Sequence, residues 1–454
     1  MKTIFGNTVT DPKVAFSFEE EQLTLYAGLN PVSLAGKNSI IGSAINTPYK
    51  YYFRLPYIDY QSAIGNIHVN TIYYIEGFEE DQKYSQMIFS FSALDYFLAN
   101  VLFEKNNPSP TPEDKCNDWR YECNFRGHTL SFLFTTQRKS VDSTNYKYTW
   151  RGILRITCEQ PFDTDFAYQV ARYVQGLFSF IYNRSDILLG NVVLLGYKND
   201  SKNNIESEMN EMSEVEAHKL TVRSTLCFSE LFTNTAPDFC KYNPEKHVGL
   251  TTLEPKFGKL ICMLFDDKIL FSQLTQAEKK VYDLKYILCI NFAFEYYYTL
   301  LDKYFGNSDI VVTKCGEEEK TIQISKLTLS NKLIYIFNPN YLLGRDQRNG
   351  IQIVNIDKVR WNGISGILSC YYDESLCNKL IDCYVEWRNA EAHAKNYNLS
   401  SKNPQELIES LRLVECMNYS VILRMAGYSD EEARSIIDRL LFDQGHGHPL
   451  PSQQ

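Results

Sequence analysis

Apolar and polar residues alternate in short runs through the first half of the chain, which is the pattern of half-buried β-strands. These runs are rich in β-branched and aromatic residues and are bounded by Gly, Asn or Pro. We predict strands at residues 14–18, 51–55, 68–75, 87–91, 129–135, 148–158 and 192–197. The fifth and sixth of these flank a polar stretch, which predicts a hairpin.

Apolar residues recur at helical spacing at 163–182 and through most of the chain beyond residue 272. A short helix is also predicted at 94–98, directly after a strand. The C-terminal helices carry start signals: capping boxes at Thr275–Glu278 and Ser429–Glu432, Asp373 before an apolar run, and Pro404 at a first helical position. Gly306 and Gly427 fit helix ends.

These patterns predict an α+β chain with two domains and a tail. Residues 1–265 are expected to form a β-rich (α+β) domain, and residues 266–445 an all-α helix bundle. Residues 446–454 are expected to be a frayed tail. The less regular segment 307–365 is predicted to be an insertion with a small strand pair.

Composition narrows the possible functions. The net charge of -9 excludes a generally basic nucleic-acid-binding chain, so any nucleic acid needs a local cluster of Lys and Arg. The first residues lack the apolar core of a signal peptide, and no apolar run reaches the length of a membrane span. The twelve Cys are scattered without metal-ligand spacing. We therefore predict a cytoplasmic protein with reduced thiols, no membrane association, no metal and no cofactor.

The stretch from Trp387 to His393 holds the strongest candidate chemistry. Arg388 is a permanent cation suited to phosphate, and His393 is a side chain whose charge changes near neutral pH. Five residues on a helix correspond to about 140° around its axis, so these two side chains do not share one face of a straight helix. Asn389 and His393, four apart, do share a face, and Glu386 lies on the same stripe.

Three explanations of this geometry remain open. The helix breaks near Ala392, or a partner chain completes the site, or the two residues act separately. In the last case the helix is a solvated one, with Glu391 pairing to Lys395.

Two other motifs are chance matches. Arg439 and His446 also have a loose Arg-to-His spacing, but Leu440 follows the arginine and the histidine falls in the predicted tail. Gly36-Lys37 resembles part of a phosphate-binding loop, but that motif needs Gly at position 31, where this chain has Pro.

The segment Arg388-Asn389-Ala390-Glu391-Ala392-His393 matches the R-N-x-x-x-H signature of HEPN-domain ribonucleases. The chain also resembles the anti-phage ApeA family, in which a β-rich domain precedes a C-terminal HEPN domain. Residues 87–97 are similar to a strand–Leu–Asp–aromatic pattern of that N-terminal domain. The HEPN resemblance covers roughly residues 270–445.

This resemblance implies a metal-independent endoribonuclease that acts on RNA, frequently tRNA, at an active site formed by two protomers. His393 would perform general acid–base catalysis on the 2′-OH and the leaving oxygen, which yields a 2′,3′-cyclic phosphate. Arg388 would stabilise the added negative charge, and Asn389 would orient His393 or a phosphate oxygen. A two-fold dimer through the bundle would bring both pairs together.

The resemblance also implies a role in abortive anti-phage defence. Residues 1–265 would be the sensor or regulatory domain, with a phage-derived protein as its candidate trigger. Candidate RNA-binding residues are Lys395 and Tyr397, just past the motif, and Arg360, with Trp361 offered for stacking. The alternative is a non-catalytic helical dimerisation or binding module with a regulatory role.

Overall fold

The structure of the chain is a computed structural model that describes residues 3–19, 22–26, 38–45, 47–56, 66–104, 118–142, 147–183, 187–196, 222–228, 248–254, 256–266, 309–314, 318, 320–343, 351–355, 361–392 and 404–442. It falls into two compact units. The first comprises residues 1–178 and 186–242, and the second comprises residues 179–185 and 243–454. No helix in the described ranges combines the length and the apolar character that crossing a membrane requires.

The first unit is built on one large antiparallel sheet of thirteen strands. The strands are β1 Ile4–Thr8, β2 Ala15–Glu19, β3 Gln22–Tyr26, β4 Ser39–Ala44, β5 Lys50–Arg54, β6 Asn66–Asn70, β7 Tyr73–Glu76, β8 Tyr84–Phe89, β9 Trp119–Phe125, β10 His128–Asp142, β11 Lys147–Phe162, β12 Asn191–Gly196 and β13 Val222–Phe228. Their order across the sheet is β6-β3-β2-β1-β4-β5-β7-β13-β12-β8-β11-β10-β9. Because every neighbouring pair is antiparallel, each strand can bury one face and leave the other to solvent.

Strands β1 to β6 enclose a core of their own inward-facing side chains. Phe16 and Phe18 pack on Phe53, with ring centroids 5.4 and 5.0 Å apart. Gly6 allows this packing, since a Cβ there would lie 2.6 Å from the Phe16 ring. Buried and exposed residues therefore alternate along β1 and β6, because one face of each strand contacts this core.

Two helices cover one face of strands β8 to β11. They are α1 Ser92–Glu104 and α2 Thr164–Tyr182. Phe97 of α1 packs edge-on against Phe178 of α2, with centroids 5.4 Å apart, and also against Phe134 of β10. Asp95 accepts a hydrogen bond of 2.6 Å from the Gly152 N–H of β11, so α1 is tied to the sheet by a polar contact as well.

The sequence predicted about half of these elements correctly, gave one strand wrongly and missed five others. The strands at 14–18, 51–55, 87–91 and 192–197, the helices at 94–98 and 163–182, and the long hairpin are confirmed, although the first helix is longer than predicted. The single strand predicted at 68–75 is wrong, because the chain leaves β3 after Asn70 and pairs with β5 from Tyr73 onward. The sequence missed β1, β3, β4, β9 and β13.

The second unit combines helices with a small sheet. Its helices are α3 Leu250–Leu253, α4 Phe257–Asp266, α5 Leu329–Phe337, α6 Ser365–Leu368, α7 Glu374–Ala392, α8 Pro404–Met425 and α9 Asp430–Ile437, followed by a π-helical turn at Asp438–Phe442. Short 3-10 turns span Ile324–Lys326 and Pro339–Leu342. Its strands are β14 Asp309–Lys314, β15 Lys320–Gln323 and β16 Ile351–Asn355, in the order β15-β14-β16.

The predicted helix boundaries that fall on described residues are confirmed by their capping contacts. Asp373 accepts a hydrogen bond of 2.8 Å from the Leu376 N–H before α7. Ser429 and Glu432 form the reciprocal capping box of α9. Gly427 has φ +95°, the left-handed conformation that commonly follows a helix end.

The coarse α+β prediction is confirmed, but the description of the C-terminal part as all-α is wrong. A three-stranded sheet lies within the segment for which the sequence predicted only a strand pair. The division of the structure places α3 and α4 with the second unit, and the predicted boundary after residue 265 stays a prediction. The helix predicted at 275–305 and the tail at 446–454 lie outside the described residues.

Candidate functional site

Helix α7 carries the candidate catalytic residues and packs between two other helices of the second unit. Lys379 forms an ion pair with Glu406 of α8. On another side, Ser330 of α5 donates a hydrogen bond of 2.8 Å to Asp382 Oδ1. Contacts from two helices fix the rotation of α7 about its axis, and therefore the directions in which its later residues point.

Helices α7 and α8 run antiparallel. Tyr372, just before α7, lies beside Cys416 in the middle of α8, whereas Lys379 forms its ion pair with Glu406 near the start of α8. Arg388 lies nine residues beyond Lys379, about 13 Å further along the axis at 1.5 Å per residue. The segment with Arg388 and Asn389 therefore extends past the beginning of α8.

Arg388 continues a face of α7 that is otherwise apolar. It follows Ile381 by seven residues and Tyr384 by four, which places all three within about 60° around the axis. Ile381 and Tyr384 are fully buried, while Arg388 is half-buried. Because a guanidinium stays charged, this position keeps a cation against an apolar surface.

Asn389 lies about 100° from Arg388 around the helix axis. It follows Asp382 by seven residues and Glu386 by three, and both of these carboxylates are exposed. Asn389 itself is half-buried. The predicted stripe of Glu386 and Asn389 is thus a real polar face, and the structure presents Arg388 and Asn389 on two adjacent faces.

The other predicted site residues are His393, Lys395, Tyr397 and Arg360. They lie outside the described residues, so their positions stay predictions. Trp361, beside Arg360, is described, and its predicted availability for stacking is wrong. It is buried, donates Nε1–H to the Ile336 carbonyl at 3.1 Å, and has the Arg424 guanidinium 5.6 Å from its ring centroid.

Of the second Arg-to-His pair, the structure describes only the arginine. Arg439 donates a hydrogen bond of 3.1 Å to Thr252 Oγ1 and so joins the π-helical turn to α3. This is a structural role for the arginine, in keeping with the prediction that the spacing is a coincidence. His446 lies outside the described residues.

Lys332 of α5 is a residue of chemical interest that the sequence reasoning missed. Burial lowers its pKa to about 8, because withdrawal from water disfavours the ammonium form. It lies about 200° around α5 from Ser330, the residue that contacts α7. The structure therefore does not place Lys332 on the contact with α7. The shift in its pKa follows from burial, which cannot be read from the sequence.

Among the described residues, no group of three or more His, Cys, Asp or Glu is placed to hold a metal ion. No known family, no curated protein and no solved structure matches this chain.

Proposed function

We propose that this chain is a metal-independent HEPN-type endoribonuclease that cleaves RNA, with tRNA as the expected target. One observation carries the proposal. Arg388 is a half-buried cation near the end of a helix whose earlier positions in line with it, Ile381 and Tyr384, are fully buried, and Asn389 beside it is half-buried on the adjacent polar face. The arginine of the R-N-x-x-x-H motif thus coincides with a polar interruption of an apolar helix face.

The proposed chemistry uses the nucleophile that RNA itself contains. His393 removes the 2′-OH proton as the oxygen attacks the adjacent phosphorus, and a protonated His393 from the second protomer gives a proton to the departing 5′-oxygen. The products are a 2′,3′-cyclic phosphate and a free 5′-hydroxyl. Arg388 neutralises the additional charge of the phosphorane, and the Asn389 amide orients the imidazole or a phosphate oxygen.

A homodimer through the helical unit supplies both motifs to one site. Two-fold symmetry places the same surface of each protomer against the other, so residues near the axis meet their own copies. This arrangement removes the angular mismatch between Arg388 and His393, because each arginine can act with the partner's histidine. Lys395, Tyr397 and Arg360 are the residues proposed to hold the RNA strand near this site.

In the cell, the proposed enzyme is cytoplasmic and acts in abortive anti-phage defence. Cleavage of cellular RNA stops growth of an infected cell before phage replication is complete. The first unit is proposed to sense a phage-derived protein and to restrain a toxic nuclease in uninfected cells.

The test is incubation of the purified chain with total RNA in EDTA, followed by analysis of the RNA ends. We expect 2′,3′-cyclic phosphate ends from the wild type and none from Arg388→Ala or His393→Ala. His446→Ala is the matched control, because it removes the histidine of the coincidental pair, and it should cleave at the wild-type rate. Cleavage by His393→Ala at the parental rate would show that the mechanism is wrong. A dimer that cleaves no RNA would favour the alternative of a non-catalytic regulatory module.

A further inference from the structure

Positive charge is concentrated in one short part of this acidic chain. Residues 119–157 contain seven Lys and Arg and two Asp and Glu, a net charge of +5, whereas the whole chain has -9 and the remainder therefore has -14. The basic residues are Arg120, Arg126, Arg138, Lys139, Lys147, Arg151 and Arg155. This stretch forms β9, β10 and most of β11, at one edge of the large sheet.

The strand register brings two of these arginines together from distant parts of the sequence. Leu133 of β10 pairs with Arg120 on β9 and with Arg155 on β11. Paired residues share a face of the sheet, so the two arginines flank Leu133, about 10 Å apart at twice the strand spacing. Both are exposed, since α1 and α2 cover the opposite face.

The same face continues along the hairpin. Arg151, four residues from Arg155, pairs with Gln137, and both are exposed. The described pairing of β10 with β9 ends at Phe134, and that of β11 with β8 ends at Leu154. Beyond these residues β10 and β11 pair with each other as a two-stranded ribbon. We call Arg120, Arg151 and Arg155 the basic face.

Carboxylates near the basic face leave most of its charge available. Arg120 pairs with Asp118 at 3.8 Å, but both side chains are exposed, and such pairs contribute little. Arg151 interacts electrostatically with Asp95 of α1, which lies on the face of the sheet that the helices cover. Arg155 forms no ion pair within the described part of the chain. Glu122 and Glu159 fall on the same sheet face, but towards the β9–β10 turn and away from the ribbon.

The polar residues between the arginines suit a phosphate backbone. Thr135 and Thr157 share this face with Leu133 and Ile153, and its described positions include no aromatic residue on which a base could stack. We propose that the basic face binds the phosphate backbone of RNA, without reading its bases. The choice of RNA rests on the proposed ribonuclease function, while the surface itself rests on register, exposure and charge.

The test measures binding separately from cleavage. A fluorescent 2′-O-methyl RNA hairpin lacks the 2′-OH nucleophile, so its anisotropy reports binding alone. Arg120→Gln/Arg155→Gln is compared with Lys13→Gln/Arg172→Gln, which removes two positive charges from exposed positions elsewhere in the first unit. We expect the first variant to bind at least about tenfold more weakly at 0.1 M salt and to lower the slope of log K against log salt by about 1.5. The control should stay within about twofold of the wild type.

The outcomes separate the two proposals. If Arg120→Gln/Arg155→Gln binds the probe as tightly as the wild type, and the wild type cleaves RNA, the basic face is not the RNA-binding surface and the nuclease proposal stands. Arginine-dependent binding by a wild type that yields no cyclic phosphate ends overturns the nuclease proposal alone. Displacement of the probe by polyglutamate of equal charge as readily as by unlabelled RNA shows a general polyanion site and overturns RNA as the occupant. A circular dichroism spectrum that matches the wild type confirms that each variant is folded.

Discussion

The Tyr73 hydroxyl donates a hydrogen bond of 2.5 Å to Asp165 Oδ1, which joins β7 to the first turn of α2. The Tyr73 ring is buried and stacks on Tyr168 of the same helix, with centroids 4.6 Å apart. Asp165 also lies 3.5 Å from the Arg54 guanidinium of β5. Burial, together with the bond to Asp165, raises the pKa of Tyr73, so the phenol stays a donor throughout the physiological range.

Asp165→Ala should therefore destabilise the first unit. The change leaves the buried Tyr73 hydroxyl without its carboxylate and costs about 1–3 kcal/mol of unfolding free energy. Urea denaturation followed by circular dichroism measures this. Glu159→Ala removes a carboxylate from an exposed position on β11 and serves as the control, with a change within about 0.5 kcal/mol. Equal midpoints for both variants would show that the hydrogen bond contributes nothing.

Glu432 makes the second unit sensitive to acid. Hydrogen bonds from Lys256 and from Ser429 lower the pKa of Glu432 to about 2, from a model-compound value of 4.5. A carboxyl group whose pKa is lower in the folded state stabilises that state above the unfolded pKa. The contribution is complete above pH 4.5 and is lost as the pH falls towards 2.

Glu432→Gln should consequently be less stable than the wild type at pH 7, and the difference should shrink between pH 4.5 and 2. Thermal unfolding across this range measures the difference. Glu431→Gln is the matched control, because its neighbouring carboxylate is exposed on the same helix turn. A constant difference at all pH values would contradict the assignment to the ionised carboxylate.

Lys332 should oppose folding at neutral pH. Its pKa is about 8 in the folded chain against 10.5 for an unperturbed lysine, so the unfolded state binds more protons between these values. Wild-type stability should then rise as the pH increases from 8 to 10.5. Lys332→Met removes the cost of partly burying the ammonium and should be more stable at pH 7. The difference should be no more than about 1 kcal/mol, because solvent screens the partly exposed side chain, and it should close at high pH. Lys326→Met, at an exposed position, should show no such pH dependence, and a Lys332→Met protein that is less stable at pH 7 would refute the idea.

Arg388→Lys tests how the proposed site uses its cation. Lysine keeps the charge but lacks the planar fork that binds two phosphate oxygens. Under the proposed function, kcat for RNA cleavage should fall about 100-fold, as for the loss of one donor to a developing anion, while the dimer persists. Gel filtration and a cleavage assay measure both, and the exposed Arg172→Lys is the control. Full activity of Arg388→Lys would show that only the charge matters.

Local interactions explain what the sequence could predict. The caps at Asp373 and Ser429 act within three residues, and strand alternation reflects the two faces of each strand, so both can be read from a short window. The motif residues Arg388 and Asn389 were found in the same way. Their burial could not be predicted in this way, because it depends on the rotation of α7 about its axis, which contacts at Lys379 and Asp382 fix.

By itself the sequence determined the α+β class, the hairpin, the helix caps and the Arg-Asn-to-His spacing, because each depends on neighbours along the chain. The tertiary structure decided which strands pair. It split the predicted strand at 68–75, since β6 and β7 hydrogen-bond with different partners, and it set Arg120 and Arg155 on either side of Leu133. It also set the pKa of Lys332. Pairing register and burial are relations between residues far apart in sequence, and no local pattern encodes them.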